Sequence, residues 1–230
     1  MEYKMSTLEK TRVVVLISGT GSNLQTLIDQ SKDGTLPIEI VAVISNVPDA
    51  YGLLRANQAG IHTQVINNKD FSDRANYDKE LLENIDKFQP ELVVLAGFMR
   101  ILSNDFVNHY LGRMLNVHPS LLPKYRGLNT HQRALDNNEK THGVSIHFVT
   151  PELDGGPIII QSEVPIQSTD TAATLAKRVQ IQEHIIYPIA ISWFALKRLK
   201  LRDNQLEYDG QILSQPILLD KPLLETNSEI

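Results

Sequence analysis

Strand-like apolar runs alternate with helix-like segments through the first half of the chain, and this alternation constrains the fold more than any other feature. Val13–Ile17 is a continuous apolar run, as expected of a central parallel strand that is covered on both faces. Later strand-like runs occupy Ile40–Ile44, Thr63–Ile66, Leu92–Ala96 and Met114–Val117. Helix-like segments lie between them at Leu24–Gln30, Tyr51–Ala59 and Tyr77–Phe88. The pattern predicts an α/β fold with an open, mostly parallel, doubly wound sheet of Rossmann-like type and ligands at the carboxyl ends of the strands.

The pattern changes after Gly143. Two apolar runs, Val144–Val149 and Ile158–Val164, flank the turn sequence Asp154–Pro157 and leave no room for a helix between them. An antiparallel hairpin or meander is therefore predicted for this portion.

A long carboxyl-terminal helix is predicted over Thr171–Lys200. Its apolar residues recur at close to 3.6-residue spacing, and Pro188 should kink it. We expect a single domain over residues 1–230, with an amino-terminal extension at 1–12 and a polar tail at 215–230.

Composition excludes several classes of protein. The 230 residues carry a formal net charge of -5, with 42% hydrophobic and 21% charged residues, and they offer no broad basic surface for nucleic acid. The chain has no cysteine, so disulfides and thiolate catalysis are excluded. Residues 1–12 lack the apolar core of a signal peptide, and no apolar run approaches the roughly 20 residues that span a bilayer. We expect a cytoplasmic monomer or homodimer with small-molecule partners, and neither nucleic acid nor membrane.

A glycine-rich loop, Gly19–Asn23, follows the first strand directly and opens the first helix. Its glycines let the backbone approach an anion closely, and the free N–H groups of the helix start point toward it. The loop falls short of a dinucleotide fingerprint, because Leu24 replaces the third glycine and Ser45–Val47 offers no acidic residue for a ribose. A phosphate site and a purely structural turn both remain open, and a monophosphate is favoured over a dinucleotide.

Asn116, His118 and Asp154 are the candidate catalytic residues. Asn116 and His118 occupy alternate positions, so both side chains leave the same face of an extended segment, and Pro119 favours extended backbone at His118. Asp154 lies far along the chain, so its pairing with His118 is a prediction about the fold. Such a carboxylate would raise the imidazole pKa from about 6.5, while Asn116 could donate to an oxyanion. The alternative is that Asn116 and His118 simply bond to the backbone of a loop.

Several histidines cluster in the same part of the sequence and raise the question of a metal centre. They are His109, His118, His131, His142 and His147. They lack the His-Glu-x-x-His arrangement, and no second carboxylate recurs at ligand spacing. We predict that the chain holds no metal.

Four motifs together resemble one family. They are Gly19–Leu24, Leu95–Leu102, Asn116–Pro123 and Glu152–Pro157. The combination is similar to the phosphoribosylglycinamide formyltransferases, folate-dependent enzymes of purine synthesis, and the resemblance runs from about Val13 to Gly210. The Asn-x-His segment and the downstream Asp are typical of formyltetrahydrofolate enzymes in general. The glycine loop is typical of those that act on phosphorylated glycinamide.

The resemblance implies a formyltransferase fold that transfers formyl from 10-formyltetrahydrofolate, a co-substrate, to the amine of glycinamide ribonucleotide. It implies that Asn116 and protonated His118 stabilise the tetrahedral oxygen while Asp154 holds the imidazole charged. The implied substrate-binding residues are Gly21, Ser22, Asn23, Gln180, Ile181, Gln182 and Glu183. The implied folate-binding residues are Arg74, Met99, Arg100, Ile101, Leu102, Asn116, Thr150, Pro151, Glu152, Leu153 and Asp154.

Two classes of function are alternatives to this one, another formyl-folate enzyme and a non-catalytic binding module. A formyl-folate hydrolase usually carries an additional amino-terminal domain and an aminoacyl-tRNA formyltransferase a basic carboxyl-terminal domain, and we expect neither in this acidic chain. A non-catalytic phosphometabolite-binding module would use Asn116, His118 and Asp154 only to shape a pocket. Measured turnover separates these hypotheses.

Overall fold

The computed structural model describes residues 9–219, which form an eight-stranded sheet, a three-stranded sheet and helices packed on them. The strands in chain order are β1 Thr11–Ile17, β2 Ile38–Ser45, β3 Thr63–Val65, β4 Leu92–Leu95, β5 Met114–His118, β6 Thr141–Phe148, β7 Ile158–Pro165, β8 Leu199–Arg202, β9 Gln205–Tyr208, β10 Gln211–Leu213 and β11 Ile217–Leu218. The helices are α1 Ser22–Asp33, α2 Tyr51–Gln58, α3 Arg74–Asp86, α4 Asn104–His109, α5 Thr130–Asp136 and α6 Ala172–Ala195, and a 3-10 turn covers Asn68–Asp70.

The large sheet has the strand order β11-β7-β6-β5-β4-β1-β2-β3. Strands β1 to β5 pair in parallel, whereas β6 pairs antiparallel with both β5 and β7. The chain places β2 and β3 on one side of β1 and then β4 and β5 on the other side. The strand order therefore reverses between β1 and β4, where open α/β sheets leave a crevice at the carboxyl ends. The predicted mostly parallel sheet with an antiparallel portion and a long helix is confirmed.

Successive side chains of β1 enter two different helical layers. Val13, Val15 and Ile17 are fully buried with residues of α1, α2 and α6, while Val14 and Leu16 are buried with residues of α3 and α4. Each such side chain contributes roughly 1.5 to 3 kcal/mol when it is removed from water. Because both faces of the sheet are covered, the strand has an uninterrupted apolar sequence.

Helix α6 is fixed across the sheet by the phenol of Tyr187. This fully buried hydroxyl lies 3.0 Å from the carbonyl oxygen of Leu95 on β4 and 3.0 Å from that of Leu115 on β5. Burial raises the pKa of Tyr187 well above its ordinary range, so the hydroxyl keeps its proton and donates. Positions three and four residues apart share a helix face, so Gln180 and Glu183 lie on the same face as Tyr187.

The sequence prediction was wrong about the end of the long helix. It begins at Ala172 and ends at Ala195 instead of Lys200, because Lys197 adopts a left-handed φ of 60° and Leu199–Arg202 pairs with β9 as a strand. Pro188 lies inside the helix.

Several short elements were not predicted from the sequence. They are α4, α5 and the strands of the carboxyl-terminal part, of which the sequence indicates only one short strand from Leu201 onward. Thr11 and Arg12, assigned to an extension, belong to β1, and Ile217–Leu218, assigned to the tail, pairs with β7. Residues 1–8 and 220–230 lie outside the described part, and the single-domain assignment stays a prediction.

Gly143 on β6 allows close approach of the β7 backbone, which gives a test of this packing. An added Cβ would lie 2.1 Å from the Ser162 carbonyl oxygen and 2.8 Å from Leu121 Cδ2. We predict that Gly143→Ala lowers the free energy of unfolding by roughly 1 to 3 kcal/mol, the usual size of an overpacking effect, in urea denaturation. Gly19→Ala is the matched control, since a Cβ there meets nothing within 4 Å. Equal destabilisation by both substitutions would contradict the packing argument.

Candidate active site

The loops that follow β1 and β4 are joined at the carboxyl edge of the sheet. The Ser18 N–H donates to the Gly97 carbonyl oxygen at 3.2 Å, and the Ser18 hydroxyl oxygen accepts from the Met99 N–H at 2.8 Å. Since β1 and β4 are the neighbours at which the strand order reverses, this edge is where a ligand crevice is expected. The glycine loop after β1, the Leu95–Leu102 motif at the end of β4 and the end of β5 all lie along this edge.

His118 is the last residue of β5, and its imidazole faces Asp154. The distance from His118 Nδ1 to Asp154 Oδ2 is 3.5 Å, and the two side chains are only 7% and 9% exposed. Asp154 lies in the loop between β6 and β7 with a left-handed φ of 46°. Its Oδ2 also accepts a hydrogen bond from the Gly127 N–H at 2.8 Å. The structure therefore brings together the two residues whose pairing the sequence could only propose.

The second ring nitrogen of His118 faces the loop that follows β5. His118 Nε2 lies 2.9 Å from the Tyr125 carbonyl oxygen, and a carbonyl only accepts, so this nitrogen carries a proton. Tyr125 has a left-handed φ of 58°, and its hydroxyl donates to Glu139 Oε1 at 2.8 Å. Lys124 donates to both oxygens of the same carboxylate at 2.9 and 3.0 Å. Glu139 thus anchors the stretch of loop whose carbonyl orients the His118 ring.

Asn116 is oriented by His147, which lies opposite it in the β5–β6 register. His147 Nδ1 is 2.8 Å from the Phe148 carbonyl oxygen and therefore carries the proton of the neutral ring. His147 Nε2 is then an acceptor, and it lies 3.1 Å from Asn116 Nδ2. One amide hydrogen of Asn116 is engaged in this bond, and the second remains for another acceptor.

His147 is a neutral base inside the sheet. Burial lowers the pKa of His147 to about 4, with its bond to the Phe148 carbonyl and the Asp154 carboxylate acting in the opposite direction. At neutral pH the ring is uncharged, as the hydrogen bond from Asn116 requires.

The glycine loop meets helix α6 through two side-chain pairs. Gly21 has a φ of 68° and precedes α1, and no side chain of residues 9–219 caps the first N–H groups of that helix. Gln180 Nε2 donates to Ser22 Oγ at 2.9 Å, and Asn23 Nδ2 donates to Glu183 Oε2 at 2.7 Å. Burial raises the pKa of Glu183, an effect that its bond with Asn23 opposes. Polar side chains of α6 therefore bond to the end of the glycine loop at the start of α1.

The other two helix residues assigned to the substrate are placed differently. Gln182 is buried, and its Oε1 accepts a hydrogen bond from Ser162 Oγ of β7 at 2.8 Å. Ile181 is 46% exposed. Only Gln180 and Glu183 of the assigned helix residues bond to the loop, while the Oδ1 of Asn23 is buried without a partner among residues 9–219.

Apart from Asn116 on β5, the residues assigned to folate lie in two loops and at the start of α3. Met99, Ile101 and Leu153 are 66%, 58% and 49% exposed, which is high for large apolar side chains, whereas Leu102 is buried. In the loop between β6 and β7, Thr150 is half-buried, while Pro151 and Glu152 are exposed. Arg74 is exposed as the first residue of α3. Arg100 is half-buried, and its guanidinium carbon lies 5.2 Å from the centre of the Tyr77 ring. Apolar side chains exposed in this way suit contact with a flat, mostly apolar ligand.

Three contributors to the site were missed by sequence reasoning. His147 was considered only as a metal ligand, although its position on β6 opposite Asn116 gives it the role of an orienting acceptor. Tyr125 acts through its backbone carbonyl, for which side-chain identity carries no signal. Arg126 pairs with Glu152 and so links the loop after β5 to the loop between β6 and β7. Charge complementarity between these two loops is the signal that could have revealed the last contact.

The described residues offer no obvious metal centre or membrane helix. Within 9–219 there is no group of three or more His, Asp or Glu side chains placed to hold an ion. His131 and His142 lie together, with Nδ1 and Nε2 3.1 Å apart, and burial lowers the pKa of both. In the same part of the chain, no helix has the length and apolar character needed to cross a bilayer.

Comparison with known proteins defines the class. The family model for formyl transferases matches residues 11–191, and the chain belongs to this family. The phosphoribosylglycinamide formyltransferase of Escherichia coli (strain K12) is 56% identical over 201 residues, which cover 87% of this chain and 95% of that protein. The family resemblance inferred from the four sequence motifs is confirmed.

Two solved structures of similar proteins share the fold. The phosphoribosylglycinamide formyltransferase of Coxiella burnetii, in complex with CHES, matches with a TM-score of 0.86 and 52% identity over 91% of this chain and 100% of that chain. The glycinamide ribonucleotide transformylase 1 of Symbiobacterium toebii matches with a TM-score of 0.85 and 38% identity over 90% and 97%.

The buried neutral state of His147 makes stability depend on pH. Its pKa is about 4 in the folded chain, compared with about 6.5 in the unfolded chain. Its contribution to the free energy of unfolding is therefore complete above pH 6.5 and is lost as the pH falls through 4. We predict that His147→Gln reduces the slope of unfolding free energy against pH in this window by up to about 1.4 kcal/mol per pH unit. Urea denaturation at a series of pH values measures this slope. An unchanged slope would show that His147 does not titrate as its burial demands.

Proposed function

We propose that the chain transfers the formyl group of 10-formyltetrahydrofolate to the amine of glycinamide ribonucleotide, giving N-formylglycinamide ribonucleotide and tetrahydrofolate in purine synthesis. One observation carries the proposal. In a member of the formyl transferase family, the Asn116 amide and the His118–Asp154 pair lie at the same sheet edge as a glycine loop that opens a helix with no side-chain cap.

The proposed chemistry is acyl transfer without a protein nucleophile. The amine lone pair attacks the formyl carbon, and the carbonyl oxygen becomes negative in a tetrahedral intermediate. We infer that the free amide hydrogen of Asn116 donates to that oxygen. The protonated ring of His118, whose two nitrogens face the Tyr125 carbonyl and the Asp154 carboxylate, stabilises the oxygen through its positive charge. A proton passes from the amine to the folate nitrogen, the bond between this nitrogen and the formyl carbon breaks, and the formamide product forms.

The acceptor is placed by the glycine loop and α6. The N–H groups at Gly21, Ser22 and Asn23 receive the phosphate at the positive end of α1. Glu183 and Asn23 bond to each other at 2.7 Å, and the Oδ1 of Asn23, which has no partner among residues 9–219, accepts a hydrogen bond from the substrate. A carboxylate at this position suits a ligand amine, since Glu183 is an acceptor when it is ionised.

The formyl donor is placed by the exposed apolar surface of Met99, Ile101 and Leu153. A pterin ring covers such side chains, while backbone groups of the loops 99–102 and 150–154 bond to its polar edge. We infer that the exposed Arg74, the first residue of α3, pairs with the negative tail of the folate.

Substitution of the catalytic pair tests the chemistry. We predict that His118→Ala and Asp154→Asn each lower kcat by on the order of 10² to 10³, with KM for both substrates changed little, because the lost interactions act on the transition state. Steady-state kinetics with 10-formyltetrahydrofolate and glycinamide ribonucleotide measures this. His109→Ala is the matched control, since His109 pairs with Asp86 at the surface. Full activity in His118→Ala would exclude the proposed role, and a wild-type chain with no turnover would favour the binding module.

Glu183 gives a second test, directed at the acceptor. We predict that Glu183→Gln raises KM for glycinamide ribonucleotide by about tenfold and leaves KM for the formyl donor unchanged, because one charge-assisted hydrogen bond is lost. The exposed Glu163, on β7, provides the control Glu163→Gln. Equal changes in the KM of both substrates would contradict the placement of Glu183 beside the acceptor.

A further inference from the structure

The carbonyl groups of the glycine loop are bound by α2. The Gly52 N–H donates to the Gly19 carbonyl oxygen at 3.0 Å, and Arg55 Nε donates to the Thr20 carbonyl oxygen at 2.9 Å. A peptide unit is planar and trans, so its C=O and the N–H of the following residue point in opposite directions. The N–H groups of Thr20 and Gly21 therefore point away from α2. Within residues 9–219 they have no hydrogen-bond acceptor.

Helix α2 presses closely against this loop. A Cβ on Gly21 would lie 2.6 Å from Gly52 Cα, and one on Gly52 would lie 2.5 Å from Ile17 Cδ1. The first of these positions would also lie 3.5 Å from Arg55 Cδ, so the arginine stem packs directly on the turn. Glycine at 21 and at 52 is what permits the approach.

Arg55 is held in place by contacts on three sides. Its Nη1 donates to Gln25 Oε1 of α1 at 3.1 Å, and its guanidinium carbon lies 4.9 Å from the centre of the Tyr51 ring. With the bond to the Thr20 carbonyl, these contacts connect α1, α2 and the loop through one side chain. A guanidinium is always charged, so it also adds positive potential next to the loop.

We propose that Arg55 is a positioning residue for the acceptor phosphate and makes the site selective for phosphorylated over unphosphorylated acceptors. By binding the Thr20 carbonyl, Arg55 turns the Thr20–Gly21 peptide so that its N–H is free to bind the phosphate. This inference rests on the proposed function, in which the loop receives the phosphate of a ribonucleotide.

The experiment compares two acceptors, glycinamide ribonucleotide and its dephosphorylated riboside. In Arg55→Met, which keeps the stem, we expect kcat/KM for the ribonucleotide to fall by about tenfold, the effect of one lost charge-assisted hydrogen bond. The kcat/KM for the riboside and the KM for the formyl donor should stay within about twofold of the wild-type values. Arg55→Lys keeps the charge but loses the Nε geometry, and it should fall between the wild type and Arg55→Met. Arg198→Met, which removes a surface ion pair with Asp209, should keep the wild-type kcat/KM for both acceptors.

A second measurement needs no turnover. Inorganic phosphate should raise the melting temperature of the wild-type chain and should raise that of Arg55→Met much less. The proposal would be overturned if Arg55→Met lost kcat/KM equally with both acceptors, or lost none with either acceptor. It would also be overturned if phosphate raised the melting temperatures of the wild type and of Arg55→Met equally. If the wild type transfers no formyl group to either acceptor, the proposed function fails, and the phosphate measurement still decides the role of Arg55.

Discussion

The buried carboxylate of Asp154 is the contact on which the geometry of the candidate active site depends. It accepts the Gly127 N–H at 2.8 Å, faces His118 Nδ1 at 3.5 Å and lies 3.8 Å from His147 Nε2. A carboxylate that is only 9% exposed carries a desolvation cost of several kcal/mol unless donors surround it. The Gly127 N–H in the loop after β5 and the His118 ring at the end of β5 therefore both face one charge that belongs to the loop between β6 and β7. Displacement of either segment removes one of the groups that compensate this charge.

Two imidazoles on neighbouring strands differ because their surroundings differ. Both nitrogens of His118 face oxygens that only accept, the Tyr125 carbonyl and the Asp154 carboxylate, so a ring with two N–H donors fits. His147 faces one acceptor and one donor, the Phe148 carbonyl and the Asn116 amide, so a neutral ring fits. The antiparallel pairing of β6 with β5 thus places the neutral ring of His147 where it orients the Asn116 amide.

Much of this arrangement could be predicted from local sequence, and the remainder depends on contacts between distant segments. The apolar run of β1 and the position of Asn116 and His118 on one strand follow from period-two geometry and from Pro119. The partnership of Asn116 with His147 follows from cross-strand register, which sequence spacing does not encode.

Helix α6 shows both kinds of outcome. Helical periodicity separates Gln180 and Glu183 from Gln182, and a stricter use of it would have placed Gln182 against the sheet. The helix end at Ala195 was missed, because the strand that follows depends on pairing with β9. The contact of Arg55 could not be predicted from the sequence, because its partner is a backbone carbonyl of another segment.

The most direct test of the central claim is product formation from 10-formyltetrahydrofolate with and without glycinamide ribonucleotide. We predict that tetrahydrofolate forms only when the ribonucleotide is present, with one N-formylglycinamide ribonucleotide produced for each tetrahydrofolate. Release of formate without an acceptor would identify a hydrolase, and the absence of any folate product would contradict catalysis at the Asn116, His118 and Asp154 site.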